Sequence, residues 1–486
     1  MAGWSRGVSR RRFLGLAAGG LTFSALGAAC QQPPQVVEKV VEKVVEKPVE
    51  RVVTQVVEKP VEKIVERQVV VTATPGQPAA APAKTTLRLQ NWFNQEDLWA
   101  WNIGLNAFRA NHPNIELKLE FNPYGETIPK VIAHATAGTM PDVVMASNEH
   151  TPTFIANGLL RELNPFIQRD RDVKPEDYWE GVSQGFNMFG RWWGFPYDCS
   201  TFALYYNKEM LDAAGVPYPP GEGKTPWTLD QFLDAARKLT NPAKGQWGVL
   251  ITPNSQYDES NLIYTFGGRN FSDDLKKSLW DSDEVAQAIQ FRLDLIHKHK
   301  VAPPLAEIEN QSVDYFVAKK AAMVINGQWA IIGYNNQAPF DFNVGYHPIG
   351  KTKRLVTGGS GFAVSAATKF PDESWAFVKE YLSTETLADM IGATGRGIPG
   401  RKSSTPAFVK AGAGGRPKNR NVHTDQLEWA FNDRSVLAYY EIIAARWREL
   451  EPLYRTGQGN VRESAAKMAK VANELLDREW SKATIR

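Results

Sequence analysis

The sequence predicts an α/β protein over residues 85–486, and three observations support this fold class. Segments with strand periodicity alternate with segments of helical periodicity along the chain. The apolar fraction of 43% and the charged fraction of 22% are typical of a globular protein. A length of 486 residues exceeds one small domain, so we expect more than one compact unit. Strands that alternate with helices predict mainly parallel sheets with both faces covered.

The alternation is clearest in the first part of this region. Residues 86–90 and 115–120 alternate apolar and polar side chains, which predicts two strands. A helical pattern follows each strand, at 96–111 and 127–137. The apolar run at 141–146 predicts a short buried strand.

The second part of the region is richer in helix. Thr228 and Gln231 have the spacing of a capping box, which predicts that a helix begins there. The other patterns predict two more strands and several amphipathic helices. The strands are expected at 321–325 and 362–365, and the helices at 228–239, 285–300, 371–382, 435–450 and 461–480.

Residues 1–29 have the pattern of an export signal. A charged start is followed by a long apolar run, and the motif SRRRFL at residues 9–14 resembles a twin-arginine signal. The run ends in LGAAC at residues 26–30, which resembles a bacterial lipobox, although Gly27 stands where an aliphatic residue is usual. We therefore predict a signal peptide over 1–29 and lipidation of Cys30. The alternative is a plain signal peptide with an incidental cysteine.

A repeat of four residues, of the type VVEK, begins at Val36 and fades after residue 67. Because four residues exceed one helical turn, an apolar stripe with this period drifts around a helix. Pro48 and Pro60 would also interrupt a continuous helix, and residues 72–84 are rich in Pro and Ala. We interpret residues 30–84 as the lipid anchor followed by an extended stalk and linker. A short coiled coil that oligomerises the protein is the alternative.

Charge and cysteine content exclude several classes of protein. Four of the positive charges lie in residues 1–29, so the rest of the chain is nearly neutral and no nucleic-acid partner is predicted. No run of 18 apolar residues follows residue 30, so no transmembrane helix is predicted. The two cysteines, Cys30 and Cys199, cannot form a disulfide framework or a thiolate zinc cluster. We predict no metal and no cofactor.

Tryptophan is abundant, and fourteen of the fifteen tryptophans follow residue 90. Trp92, Trp192, Trp193 and Trp329 fall at expected strand ends or loops. Ligands of open α/β sheets bind beyond the carboxyl ends of the strands, where a flat ring suits the apolar face of a sugar. We expect at least two tryptophans to face a ligand, whereas most of the others pack in the core.

Eight motifs occur in a characteristic order. They are PDVV (141–144), GLLRELN (158–164), WGFPY (193–197), ALYYNK (203–208), PWTLDQF (226–232), KAAMVINGQW (320–329), GGSGFAV (358–364) and GIPGR (397–401). In this order they resemble the family 1 extracellular solute-binding proteins of ABC importers, the maltose-binding-protein class.

This resemblance implies two hinged α/β lobes of the periplasmic-binding-protein type with a ligand cleft between them. Lobe one is expected at 85–203 plus 346–388, and lobe two at 204–345 plus 389–486. The implied function is capture of a small solute, a sugar or related polyol, and its unchanged delivery to the permease subunits of an ABC importer. The implied location is the outer face of the cytoplasmic membrane, with the lipid anchor holding the protein there.

The resemblance also implies ligand-binding positions but no catalytic residue. Trp329 corresponds to a tryptophan that stacks on sugar in the family. The other candidates follow predicted strands or lie in matching motifs, and the alternative for the polar ones is turn formation or helix capping. They are Trp92, Ser147, Asn148, Glu149, Tyr197, Asp198, Gly358, Gly359, Arg396 and Tyr439.

Two other functions remain open at this point. A secreted glycan-active hydrolase would need two carboxylates across a cleft, for which Glu149 and Asp198 are candidates. The sequence has no H-E-x-x-H motif, no phosphate-binding loop and no nucleophile elbow. A stalked cell-surface glycan-binding protein is the other alternative.

Overall fold

The computed structural model describes residues 84–93, 95, 98–252, 256–309 and 314–483, with the side chains of residues 256 and 257 excepted. The predicted signal segment, Cys30 and the stalk lie outside these residues, apart from Lys84. Within the described part, no helix combines the length and the apolar character needed to cross a membrane.

The described strands begin at Thr85 and are numbered in chain order. They are β1 (Thr85–Asn91), β2 (Ile115–Phe121), β3 (Val143–Ser147), β4 (Asn187–Met188), β5 (Arg191–Trp192), β6 (Phe195–Pro196), β7 (Asp198–Cys199), β8 (Phe202–Asn207), β9 (Trp247–Leu250), β10 (Ala321–Gly327), β11 (Phe342–Gly345), β12 (Leu355–Val356), β13 (Ser360–Val364), β14 (Ile398–Pro399) and β15 (Ala430–Phe431).

The described α-helices lie between and after these strands. They are α1 (Leu98–Asn111), α2 (Thr127–Thr136), α3 (Thr151–Ala156), α4 (Asn164–Arg169), α5 (Glu180–Ser183), α6 (Lys208–Ala214), α7 (Leu229–Leu239), α8 (Gln256–Thr265), α9 (Asp283–His297), α10 (Leu305–Ile308), α11 (Ala330–Gln337), α12 (Pro371–Tyr381), α13 (Thr384–Leu387), α14 (Thr405–Ala413), α15 (Asn421–Asp425), α16 (Tyr439–Thr456) and α17 (Val461–Lys482). Short 3₁₀ helices occur at Tyr124–Glu126, Pro175–Asp177, Pro242–Lys244, Lys402–Ser404 and Gln426–Trp429, and a π-helix at Ala388–Ala393.

Two larger sheets carry the fold. The first has the strand order β2-β1-β3-β13-β6, and the second has the order β11-β8-β10-β9. An apolar cluster around the first sheet includes Leu89, Phe362 and Trp375, and another around the second sheet includes Leu204 and Leu293. The alternation of strands and helices therefore produces the predicted α/β class, with a separate core beside each sheet.

The sheets are mixed rather than mainly parallel, which corrects one part of the prediction. β1 is parallel to β2 and β3, but β13 is antiparallel to β3 and β6. In the second sheet β8 is antiparallel to both of its neighbours. The reason is the chain path: β13 enters the first sheet at the edge where β3 ends, with Ser360 opposite Ser147.

Short ladders join the segments that run between the two sheets. β7 pairs with β14, β12 pairs with β15, and Ser200 bridges Gly358. Met390 and Ile391, which the predicted division assigns to lobe two, pack in the cluster around the first sheet.

The start of α16 also differs from the prediction. The pattern predicts a helix from residue 435, but α16 begins at Tyr439. Ala438 has a φ of 55°, a left-handed conformation that a right-handed helix cannot include. Residues 435–437 therefore remain outside the helix, and Ser435 donates a hydrogen bond to the Asn148 carbonyl at 3.1 Å.

Candidate functional site

A cavity of about 510 Å³ opens at the carboxyl ends of strands from both sheets. Because β1, β2 and β3 are parallel, the residues that follow them meet at one edge of the first sheet. The loop after β10 brings Trp329 to the same cavity. The lining residues are Trp92, Phe121, Pro123, Tyr124, Ser147, Glu149, Tyr197, Asp198, Ser200, Trp329, Gly359, Ser360 and Arg396.

Aromatic rings form part of this lining. Trp329 is 40% exposed although tryptophan is usually well buried, and its ring meets Phe202 edge-on at a centroid distance of 5.2 Å. Trp92 meets Tyr124 in the same geometry, also at 5.2 Å. Phe121 at the end of β2 is 59% exposed. Trp329 and Phe121 therefore present exposed ring surface to a ligand, whereas Trp92 is only 8% exposed and packs in the cluster around the first sheet.

Asp198 is a buried carboxylate in the cavity wall. Its Oδ1 accepts a hydrogen bond from the Ser360 amide at 2.8 Å, and its Oδ2 lies 4.0 Å from Nη1 of Arg396. Burial raises the pKa of Asp198 to about 6, while the Arg396 charge opposes this shift. At neutral pH the carboxylate is therefore mostly ionised and accepts hydrogen bonds.

Arg396 is held in place by aromatic rings. Its guanidinium group lies 4.5 Å from the Trp101 ring centroid and 6.0 Å from that of Tyr197. A planar guanidinium group fixed in this way has less side-chain entropy to lose when it donates to a ligand.

The loop after β3 supplies a second polar group. The Tyr124 hydroxyl lies 3.1 Å from Ser147 Oγ and donates to Oε2 of Glu149 at 3.3 Å. Glu149 is buried and forms an ion pair with Arg434, which itself donates through Nε to the Tyr439 hydroxyl at 3.0 Å. Arg434 is not part of the cavity lining, so it neutralises the negative charge of Glu149 from behind the wall. The Glu149 carboxylate itself lines the cavity.

Two glycines lie beside this network, and the packing is tighter at Gly359 than at Gly358. A Cβ atom on Gly359 would lie 2.3 Å from the Asp198 carbonyl oxygen, too close for any other residue without a shift. A Cβ atom on Gly358 would lie 3.1 Å from Nη1 of Arg434. Gly358 therefore leaves room for the guanidinium group that pairs with Glu149.

Most of the predicted ligand-binding residues line the cavity. They are Trp92, Ser147, Glu149, Tyr197, Asp198, Trp329, Gly359 and Arg396. Asn148, Gly358 and Tyr439 do not line it. Asn148 is buried and its Nδ2 donates to the Val182 carbonyl at 2.9 Å, and Tyr439 packs in the core beside Arg434. Trp193 and Trp192 also lie away from the cavity, in or against apolar clusters.

Several lining residues were not predicted from the sequence, and neither was Arg434, which pairs with a lining residue. Phe121, Pro123 and Tyr124 lie at or just after the end of β2, so the rule that found Trp92 and Ser147 would also have found them. Ser200 lies where segments pair between the sheets, and Ser360 is the first residue of β13. Arg434 has no local signal, because only the tertiary structure brings it to Glu149.

The described residues contain no group of three or more His, Cys, Asp and Glu side chains placed to hold a metal ion. Cys199, the cysteine within the described part, is buried as a free thiol, and burial raises its pKa.

An open cavity at strand ends, with exposed aromatic rings and a few fixed polar groups, defines a protein that binds a small molecule. The family described as bacterial extracellular solute-binding protein matches residues 105–414, well over half of the chain. The chain belongs to this family. Membership confirms the predicted class, a solute-binding protein rather than an enzyme.

Individual relatives agree with this assignment. The galactooligosaccharide-binding protein of Bacillus subtilis is 24% identical over 336 residues, which cover 66% of this chain and 75% of that protein. The mannitol-binding protein of Pseudomonas aeruginosa is 24% identical over 263 residues, or 52% of this chain. This second match spans only 57% of the mannitol-binding protein.

A solved structure shows the same fold. The ABC substrate-binding protein Lmo0181 from Listeria monocytogenes, in complex with cycloalternan, matches with a TM-score of 0.74 at 21% identity. The match covers 81% of this chain and 99% of that one. The predicted periplasmic-binding-protein-like fold is confirmed.

Proposed function

We propose that the protein captures a sugar or a related polyol in the cavity at the strand ends and passes it unchanged to an ABC importer. The observation that carries this proposal is the combination of exposed aromatic rings with fixed hydrogen-bonding groups in one cavity. Trp329 and Phe121 offer exposed ring surface, and Asp198, Arg396 and Glu149 offer acceptors and donors. A sugar presents both an apolar face of C–H groups and a set of hydroxyl groups.

The size of the cavity supports a small ligand. Its volume of about 510 Å³ lies within the range of about 300–1,000 Å³ that is typical of small-molecule sites. The names of relatives point to the same chemistry, since they bind a galactooligosaccharide, mannitol and cycloalternan respectively.

We also propose that the two sheets belong to two lobes that close on the ligand, with lobe one at 85–203 plus 346–388. Lobe two comprises 204–345 plus 389–486. The short ladder between β7 and β14 supports hinge segments near the first and last of these boundaries, because few hydrogen bonds hold it. Closure would place Trp329 opposite the first-sheet residues and would be the form that the permease reads.

The position of the protein in the cell is part of the proposal. Export through the twin-arginine-like signal, lipidation of Cys30 and a stalk over residues 31–84 would hold the binding region outside the cytoplasmic membrane. The order of an apolar run, a cysteine and a Pro-rich linker supports this arrangement. Several acyl chains give firm attachment, because each buried methylene adds about 0.8 kcal/mol.

The test is a ligand screen on the purified protein with monosaccharides, disaccharides and polyols. Ligands that bind the folded state raise the melting temperature, and titration calorimetry then measures the affinity. Mass spectrometry of the recovered ligand should show an unaltered molecule. If no sugar or polyol binds, or if the bound sugar is hydrolysed, the proposal is wrong.

A further inference from the structure

Residues 199–202 form a crossing segment, which leads from β7 into β8 of the second sheet. Just before this segment, the Tyr197 amide donates to the carbonyl of Ser360 in β13 of the first sheet, at 2.8 Å. All four residues of the crossing segment are buried, and Ser200 also lines the cavity. A movement of one sheet relative to the other must be absorbed by segments of this kind.

The hydrogen bonds of the crossing segment change direction between Ser200 and Thr201. The Ser200 amide donates to the Gly358 carbonyl at 2.8 Å, and the Ser200 carbonyl accepts from the Thr357 hydroxyl at 2.7 Å. Gly358 lies two residues before β13 of the first sheet. The Thr201 hydroxyl instead donates to the carbonyl of His423 at 2.8 Å, in α15, which packs against β8 of the second sheet. Ser200 is therefore held on the side of the first sheet and Thr201 on the side of the second.

The buried side chain of Gln328 spans this point. Gln328 directly follows β10 of the second sheet and is 0% exposed. Its Nε2 donates to the Cys199 carbonyl at 3.0 Å and to Ser200 Oγ at 3.4 Å, and its Oε1 accepts from the Thr201 amide at 3.3 Å. An amide side chain can do this because it carries both donors and an acceptor. Shifting the crossing segment relative to Gln328 would leave buried polar groups without partners, which is costly.

Gln328 is also the neighbour of Trp329 in the chain. The Trp329 ring lines the cavity and meets the ring of Phe202, the last residue of the crossing segment, edge-on. Two consecutive residues after β10 therefore contact all four residues of the crossing segment. Because Gln328 and Trp329 share a peptide unit, a shift of Trp329 against a ligand is passed to the hydrogen bonds of Gln328.

We propose that Gln328 is a positioning residue that links ligand contact at Trp329 to the orientation of the two lobes, which pivot between Ser200 and Thr201. This inference rests on the proposed closure of two lobes on a ligand and assigns a residue to it. The hydrogen bonds of Gln328 favour one orientation of the crossing segment over others, so they narrow the range of lobe orientations before a ligand binds. Without them, part of the binding free energy is spent on selecting that orientation, and affinity falls.

The test measures the distance between the lobes in the full chain without any sugar. Spin labels are attached at Ala110→Cys on α1 and Gln287→Cys on α9, two exposed positions beside different sheets. The background carries Cys30→Ser, and Cys199 is buried. Pulsed electron paramagnetic resonance then gives the distribution of distances between the labels. Unlabelled proteins are titrated with maltose and with mannitol in a calorimeter.

Two variants alter the side chain that spans the pivot. Gln328→Met keeps its length but not its hydrogen bonds, and Gln328→Glu keeps an acceptor for the Thr201 amide. The carboxyl group of Gln328→Glu can donate to the Cys199 carbonyl only when it is protonated. The matched control is Gln246→Met, whose native side chain is half-buried and donates to a carbonyl at the end of α7, at 2.6 Å.

Gln328→Met should broaden the distance distribution relative to the wild type and lower affinity for a bound probe by about tenfold. Gln328→Glu should behave in the same way at pH 9 and approach the wild type at pH 5, each compared with the wild type at that pH. Gln246→Met should match the wild type. This comparison between pH 5 and pH 9 decides alone if Gln328→Met does not fold.

Two results would overturn the role of Gln328. One is an unchanged distance distribution in folded Gln328→Met, and the other is the same distribution at pH 5 and pH 9 in Gln328→Glu. A failure of the wild type to bind any sugar or polyol would instead sink the proposed function. The two failures can be told apart because the distances are measured without sugar.

Discussion

Asp198 shows how burial and charge act on one residue in opposite directions. Burial disfavours its ionised form, and the guanidinium group of Arg396 favours it. The Ser360 amide also stabilises the ionised form through a hydrogen bond. Because burial is the larger effect, the carboxylate changes its protonation state near pH 6, within the range that a solution experiment can reach.

This shift predicts a pH dependence of ligand binding. Above pH 7 the ionised carboxylate accepts hydrogen bonds from ligand hydroxyl groups, so affinity should fall as the pH is lowered from 7 to 5. Titration calorimetry at several pH values measures this. The variant Asp198→Asn should bind more weakly but with a flatter pH profile.

The pH dependence of stability should have the opposite sign to that of ligand affinity. Through Asp198, the free energy of unfolding of the ligand-free protein should rise as the pH is lowered. The pKa of Asp198 in the folded state, about 6, lies above its ordinary value of 3.8, so the folded state takes up protons between these values. Lowering the pH from 7 to 5 therefore adds stability through this residue. For ligand binding, a wild-type affinity that rises toward pH 5 would contradict the role of the ionised Asp198 as a hydrogen-bond acceptor.

Trp329 differs from the core tryptophans in its exposure. The variant Trp329→Ala should weaken sugar binding by roughly 1–3 kcal/mol, because it removes the stacking surface. Its melting temperature should change little, since 40% of the residue is exposed. Trp99→Ala, on α1 and 53% exposed, is the matched control and should bind normally. A large loss of stability in Trp329→Ala with unchanged affinity would assign the ring to packing.

At the scale of elements, the local signals located most helices and strands. The predicted strands at 86–90 and 115–120 correspond to β1 and β2, and the helix predicted at 461–480 corresponds to α17. The signals did not give strand direction, because an alternating pattern is the same in parallel and antiparallel sheets. They also placed the start of α16 too early, since nothing local marks the left-handed Ala438.

The capping box at the start of α7 leads to a testable prediction about a single helix. Thr228 Oγ1 accepts from the Gln231 amide at 3.2 Å, and Gln231 Oε1 accepts from the Thr228 amide at 2.9 Å. Thr228→Ala should destabilise the helix start by about 1 kcal/mol. Hydrogen exchange should then show faster exchange of the Gln231 amide, whereas Thr228→Ser should retain protection. Equal exchange in all three proteins would show that the cap is not important.

At the scale of the whole molecule, the site is assembled from segments far apart in the chain. The Ser435 hydroxyl donates a hydrogen bond to the Asn148 carbonyl, although the two residues are 287 positions apart. The Tyr440 hydroxyl lies 3.0 Å from Nε2 of His150, whose pKa burial lowers to about 3, so this contact involves a neutral imidazole. Such contacts make the shape of the cavity depend on how the sheets are placed relative to each other.

The proposed lipid anchor at Cys30 would determine where the whole molecule is located. Cys30→Ser should leave the protein in the soluble fraction after cell lysis, because no acyl chain can be added. Cys199→Ala is the control, since Cys199 is buried in the folded region and should not affect attachment. Fractionation followed by immunoblotting measures the distribution. A Cys30→Ser protein that stays with the membranes would rule out this anchor.

Local sequence patterns were enough to predict the α/β class, the order of most elements and the strand ends at which Trp92, Ser147 and Trp329 lie. These follow from local periodicity and from the rule that ligands bind at carboxyl strand ends. The mixed sheets, the pairing of Arg434 with Glu149 and the absence of Asn148 and Tyr439 from the cavity lining became visible in the folded structure. The physical reason is that charge pairing and burial depend on neighbours in space, which a local pattern does not contain.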